Sequence, residues 1–150
     1  MKNEFIAWDK KKKCFMPSYQ VAMNGEGEIY ISPGRGYGFY LEVGNRIEIL
    51  EYSGKKDRNG TKLYKGDIVK AELPMYEYTR ITDEALKPKT IIGVVVIRPS
   101  EGAILLVKKV VPEDAKGISK GHVLRIKQDR DIRIGHVYTN PELLEEGDIK

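Results

Sequence analysis

The apolar residues of this chain occur in short runs, many alternating with polar ones, and fifteen glycines and seven prolines cut those runs at close intervals. A two-residue alternation belongs to half-buried strands, and glycine at the corners supplies the turns that strands need. Phe5-Ile6-Ala7-Trp8 and Cys14-Phe15-Met16 read as a first hairpin across a lysine turn. Glu28-Ile29-Tyr30-Ile31, Phe39 to Val43 and Arg46 to Tyr52 follow, the last placing Ile47 and Ile49 on one face and Arg46, Glu48 and Leu50 on the other. Beyond residue 53, Asp57-Arg58-Asn59-Gly60 carries the Asn-Gly pair favoured in tight hairpins, and Tyr64-Lys65-Gly66-Asp67 launches Ile68-Val69-Lys70-Ala71. Ile91 to Ile97 and Ala103 to Val107 are rich in β-branched residues, as strands are, and Val123 to Ile126 and Ile132 to Tyr138 complete the set.

Helix signals are confined to two places. Asp83-Glu84-Ala85-Leu86 is stopped by Pro88, and Asn140 to Glu146 has an Asn at the cap, Pro at the first position and Gly147 after the end. The pattern predicts an all-β protein: N-terminal hairpins and a small sheet over 1–52, then a compact barrel over 53–150, with a boundary near Ser53-Gly54. Residues 74 to 90 form a connection long for a hairpin and offer an interaction surface.

Composition and charge narrow the function. Hydrophobic residues at 41% and charged residues at 32% suit a globular chain of 150 residues. No apolar run reaches the ~18 residues of a membrane span or resembles a leader, so a soluble protein is expected. One cysteine forbids an internal disulfide, and two histidines leave little material for zinc. The net charge of +4 is unevenly laid down. Residues 1–20 set five Lys against Glu4 and Asp9, residues 21–52 set Arg35 and Arg46 against five Glu, residues 53–70 set six basic residues against Asp57 and Asp67, and the remainder is balanced. The excess thus lies in Lys10-Lys11-Lys12-Lys13 and around Lys55, Lys56 and Arg58.

Four segments, in order and spacing, resemble the YopX family of small phage and prophage proteins. They are Phe5-Ile6-Ala7-Trp8-Asp9; Leu50 to Gly60 followed by Leu63-Tyr64-Lys65-Gly66-Asp67-Ile68-Val69; Gly93-Val94-Val95; and Ile134-Gly135-His136-Val137-Tyr138-Thr139-Asn140-Pro141-Glu142-Leu143-Leu144. Ser53, Lys55, Lys65 and His136 depart from the family pattern without disturbing a turn glycine, and residues 74–90 and 112–121 have no counterpart in it. The resemblance implies an all-β protein with a small SH3-like barrel, encoded by a phage or prophage and acting in the bacterial cytoplasm. It implies no activity and no catalytic residues.

Local motifs divide between chemistry and architecture. Arg35-Gly36-Tyr37-Gly38-Phe39 fits the opening of an RNA-binding strand signature, but Tyr40 and Glu42 break its continuation and the flanks lack the helices of that fold, so a Gly-rich turn entering a strand is the simpler reading. The same glycines precede a strand, whereas a phosphate loop precedes a helix. Asp67 reads as a turn residue bonding local backbone, His122 and His136 as surface or packed side chains without a sequence-defined catalytic partner, and Cys14 as a small core residue rather than a thiolate tuned by the lysines. The lysine run reads as a solvated turn or a polyanion contact.

The expected function is that of a non-enzymatic accessory protein without a cofactor or metal, binding an unidentified protein partner, away from membranes, and forming a homo-oligomer through exposed strand edges. The alternative is a protein of single-stranded nucleic acid using Lys10, Lys11, Lys12, Lys13, Arg35, Tyr37, Lys55, Lys56 and Arg58. A third possibility is an enzyme whose site has no sequence signature.

Overall fold

The structure is a computed structural model of the 150-residue chain, and it describes residues 4–34, 36–42, 44–73, 89–111, 118 and 120–145. Two compact units divide it, Met1–Tyr52 and Ser53–Lys150. Both are built from strands, and among the described residues helix is limited to two short 3₁₀ turns, Ser18–Gln20 and Pro141–Leu144. The all-β expectation is met. The C-terminal helical segment is a single 3₁₀ turn, and the segment Asp83 to Leu86 lies outside the described residues, as does most of the connection over 74–90.

In the first unit, β1 (Phe5–Asp9) forms a hairpin with β2 (Cys14–Met16) and pairs on its other side with the opening of β6 (Ile47–Lys56), in the registers Trp8↔Phe15 and Ala7↔Ile49. The intervening chain makes a small antiparallel sheet of β3 (Val21–Met23), β4 (Ile29–Ile31) and β5 (Tyr40–Leu41), in that order. Ala7, Val21 and Ile47 form the core of this unit, with Phe5, Met16, Ile29, Ile31 and Ile49 packed around them. Ile47 and Ile49 therefore share an inward face, as their alternation predicts. Leu50, on the opposite face, is as buried as Ile47, so β6 is covered on both faces at this point.

In the second unit the turn Asp57 to Gly60 returns the end of β6 into β7 (Lys62–Tyr64). A five-stranded sheet follows, ordered β11 (Val123–Arg125), β10 (Gly102–Val111), β9 (Lys89–Arg98), β8 (Asp67–Leu73) and β12 (Ile132–His136). The apolar runs in β8 and β9 are nearly unbroken because both faces of the sheet are covered. Val69 and Val95 pack with Leu63, Leu105 and Ile126 on one face, while Ile68, Ile92 and Val94 meet Ile134, Leu143 and Leu144 on the other. Each fully buried aliphatic of this kind stabilises the fold by about 1.5–3 kcal/mol relative to exposure. Register shifts between Val107 and Lys109 and between Arg133 and Gly135 insert bulges, and bulges bend and twist a strand. The sheet accordingly curls into a half-barrel.

Candidate functional site

Three buried carboxylates, Asp57, Asp67 and Asp131, shape the second unit before any site can be drawn on it. Asp57 Oδ1 accepts hydrogen bonds from the amides of Asn59 (2.9 Å) and Thr61 (2.8 Å), and its Oδ2 accepts from the Arg133 amide (2.9 Å). Asp67 Oδ2 accepts from the Tyr64 amide at 2.7 Å, the local role its turn position predicts, and Oδ1 also accepts from Arg133 Nε at 2.9 Å. Asp131 accepts from the Lys127 amide and from Arg130 Nε, at 2.9 and 2.6 Å. A buried carboxylate surrounded by donors has its desolvation offset. These residues are consumed in tying turns to strands.

His136 is likewise structural. It is fully buried, its Nε2 lies 3.0 Å from the Lys65 carbonyl and its Nδ1 accepts from the Tyr138 amide at 3.2 Å. An accepting Nδ1 places the ring proton on Nε2, which donates to Lys65. Asn140 does not cap the C-terminal turn with its side chain. Its Oδ1 instead accepts from the His136 amide (3.3 Å) and the Thr139 hydroxyl (2.8 Å), folded back so closely over Gly135 that a Cβ there would lie 2.7 Å from it. His122 is exposed. Among the described residues no group of three His, Cys, Asp or Glu side chains could hold a metal ion, and no helix is long and apolar enough to cross a membrane.

The basic residues singled out from the sequence fall in separate places. Lys55 lines a cleft of about 750 Å³ with Ser53, Ser100, Glu101 and Arg125, whereas Arg58 lines another of about 580 Å³ with Lys70, Lys127, Arg130, Glu72 and Asp129. Lys56 is exposed at the end of β6 and lines neither. Sequence reasoning missed Lys70, Lys127 and Arg130. The signal that could have found them is the Asp131 turn, which holds both the Lys127 amide and the Arg130 guanidinium and whose carbonyl accepts from the Arg58 amide at 2.7 Å.

In the first unit, Lys10, Lys11, Lys12 and Lys13 are all exposed at the tip of the β1–β2 hairpin. Asp9 organises the turn: its Oδ1 accepts from the amides of Lys11 (2.9 Å) and Lys12 (3.1 Å), and its carbonyl from that of Lys13 (2.8 Å). Arg46 grips the same carboxylate with Nε and an Nη at 2.7 to 3.1 Å. That hydrogen-bonded guanidinium, opposed by burial and helped by the two lysine amides, pulls the Asp9 carboxyl down to about 2. The negative charge beneath the turn is thus matched by Arg46, leaving the four ammonium groups to project into solvent. Cys14, expected in the core, is exposed. Directly after this turn it begins β2, which is an edge strand among the described residues.

The most unusual surface lies on β5 and the turn before it. Tyr37 and Tyr40 are 67% and 64% exposed, Phe39 and Leu41 49% and 45%, with Tyr19 and Met23 also exposed in the same unit. Ser32, itself buried, holds the preceding turn by donating to the Gly34 carbonyl at 2.8 Å, and the Tyr37 amide donates to the same carbonyl at 3.3 Å. Arg35 lies outside the described residues. Tyr40 faces the side of Ile31, its partner in register, and Leu41 the opposite side. Both sides of this edge strand are therefore uncovered. Acidic residues gather at one end: Glu42 donates its amide to the Ile29 carbonyl (2.7 Å), Glu28 immediately precedes Ile29, and Glu26 stands in the turn that Asn24 Oδ1 holds.

No curated protein is similar enough to match the chain. The crystal structure of protein EF1440 from Enterococcus faecalis superimposes with a TM-score of 0.54 at 19% identity, over 97% of this chain and 99% of that one, a likeness of fold. The family model described as YopX protein matches residues 4–145, and the chain belongs to the YopX family.

Proposed function

We propose that this protein is a non-enzymatic accessory protein of phage or prophage origin that works in the bacterial cytoplasm by binding a protein partner through the Tyr37 to Leu41 edge. The observation that carries this reading is the exposure of four large apolar or aromatic side chains within five residues, Tyr37 and Phe39 in the turn before β5 and Tyr40 and Leu41 on it. Soluble monomers rarely leave such groups together in water, and tyrosine combines an apolar ring with a hydroxyl suited to an interface. The buried polar side chains support the same view, since each described one is already satisfied within the fold.

A second reading, single-stranded nucleic acid, is favoured by the exposed Lys10 to Lys13 turn. One experiment separates them. The tagged wild type and a Tyr37→Ser/Tyr40→Ser variant are compared in affinity captures from host lysate, with and without nuclease. The proposal expects a captured protein that survives nuclease and falls at least about tenfold with the variant, a loss typical of removing interface anchors. Capture that is unchanged in the folded variant, or that vanishes with nuclease, refutes it.

A further inference from the structure

We infer that a second copy of this chain occupies the aromatic edge, the four-lysine turn of one copy docking on the Tyr37 to Leu41 edge of the next, head to tail. This inference rests on the protein-binding reading above and names the partner. Charge is unevenly distributed over the first unit. The exposed Lys10, Lys11, Lys12 and Lys13 make no ion pair among the described residues, because the one carboxylate beneath them is held by Arg46. The uncovered edge is bordered by Glu26, Glu28 and Glu42, in a segment where five Glu face two Arg, one of them the Arg46 already engaged by Asp9.

Charge also decides how two copies meet. A two-fold pairing of β5 with β5 would run antiparallel, setting Glu42 of each copy beside residues 36–42 of the other, which carry no cation to meet it. Lysine turn against acidic aromatic edge brings opposite charges together and sets ammonium groups beside Tyr37 and Tyr40, whose ring faces attract cations. Where the turn of one copy docks on the edge of the next without the reciprocal contact, the pairing is heterologous and propagates into a ring or a chain of copies instead of stopping at a dimer.

Sedimentation velocity on the full chain up to ~100 μM, at ~0.05 and ~0.5 M salt where screening lengths differ about threefold, tests this. Association that grows with concentration at low salt and weakens by at least about tenfold at high salt is expected. Lys11→Glu/Lys12→Glu and Tyr37→Ser/Tyr40→Ser, each verified as folded by circular dichroism, should both sediment as monomers. An equimolar mixture of the two should recover a heterodimer, since one keeps its edge and the other its turn. A wild type monomeric throughout, association that persists in either variant, or a mixture that stays monomeric overturns the inference. If the wild type is monomeric yet still captures a host protein through Tyr37 and Tyr40, the protein-binding reading stands and only the choice of partner falls.

Discussion

Gly66→Ala should be among the most damaging single methyl additions in the second unit. Gly66 has φ +90°, and a Cβ on it would lie 2.7 Å from His136 Nε2, 2.8 Å from Cε1 and 3.3 Å from a methyl of Val137. Neither side can yield. The Gly66 amide donates to the Val95 carbonyl at 2.9 Å and its carbonyl accepts from Val137 at 3.0 Å, while the ring is fully buried and bonded at both nitrogens. A left-handed conformation costs alanine about 1–2 kcal/mol, and pushing the ring off the Lys65 carbonyl leaves a buried donor unsatisfied at about 1–3 kcal/mol more. The total, roughly 2–5 kcal/mol, is a large share of a stability of about 5–15 kcal/mol. Gly60→Ala is the internal control, because Gly60 has a similar φ of +81° with nothing within 4 Å of its added Cβ. It should cost only the conformational part, about 1–2 kcal/mol. Equilibrium urea unfolding followed by far-ultraviolet circular dichroism compares the two, fluorescence being unsuitable because the single tryptophan, Trp8, belongs to the first unit. If the two variants differ by less than about 0.5 kcal/mol, within the scatter of ordinary surface changes, the assignment of His136 as a fixed wedge is wrong.

Two further outcomes can be measured. Asp9 titrates at about 2 in the folded chain against 3.8 ordinarily, so its contribution is complete above about pH 4 and is lost as the pH falls towards 2; the shift corresponds to about 2 kcal/mol, lowered to roughly 1 kcal/mol by solvent screening of Arg46, whose side chain is 29% exposed. Asp9→Asn should therefore flatten stability across that window, and acid titrations monitored by Trp8 fluorescence that remain parallel for the two proteins refute the pairing. Asp57→Ala strands the amides of Asn59, Thr61 and Arg133, costing about 2–4 kcal/mol in urea unfolding, and a loss below about 1 kcal/mol would show that water satisfies them.

The strands were legible because alternation and corner glycines are local signals. Ile47 and Ile49 share a face, and Gly60 and Gly66 take positive φ at the two turns. What failed depended on distance along the chain. Nothing near Asp67 or Asp57 announces Arg133, which stands 66 and 76 residues away. Cys14 looks like a core residue until its strand is known to be an edge. Asn140 has the sequence of a cap, but Gly135 leaves room for its side chain to turn back instead. The basic candidates show the same limit: Lys55 and Arg58 are neighbours in sequence, yet the turn between strand and return aims them into different clefts.

The strand order of the second unit also dictates the sequence in which it can assemble. β8, β9, β10 and β11 each lie beside their neighbour in the chain, so hairpins can add one after another, most easily across the short Pro99 to Gly102 corner between β9 and β10. β12 breaks this pattern, because it returns to pair with β8 across more than sixty residues. Closing so large a loop is unfavourable until the contacts that reward it exist. The bonds from Arg133 to Asp57 and Asp67, together with the docking of Leu143 and Leu144 against Ile68, therefore belong to the late side of the folding barrier. Weakening that latch speeds the unfolding of the half-barrel while leaving its rate of formation almost unchanged.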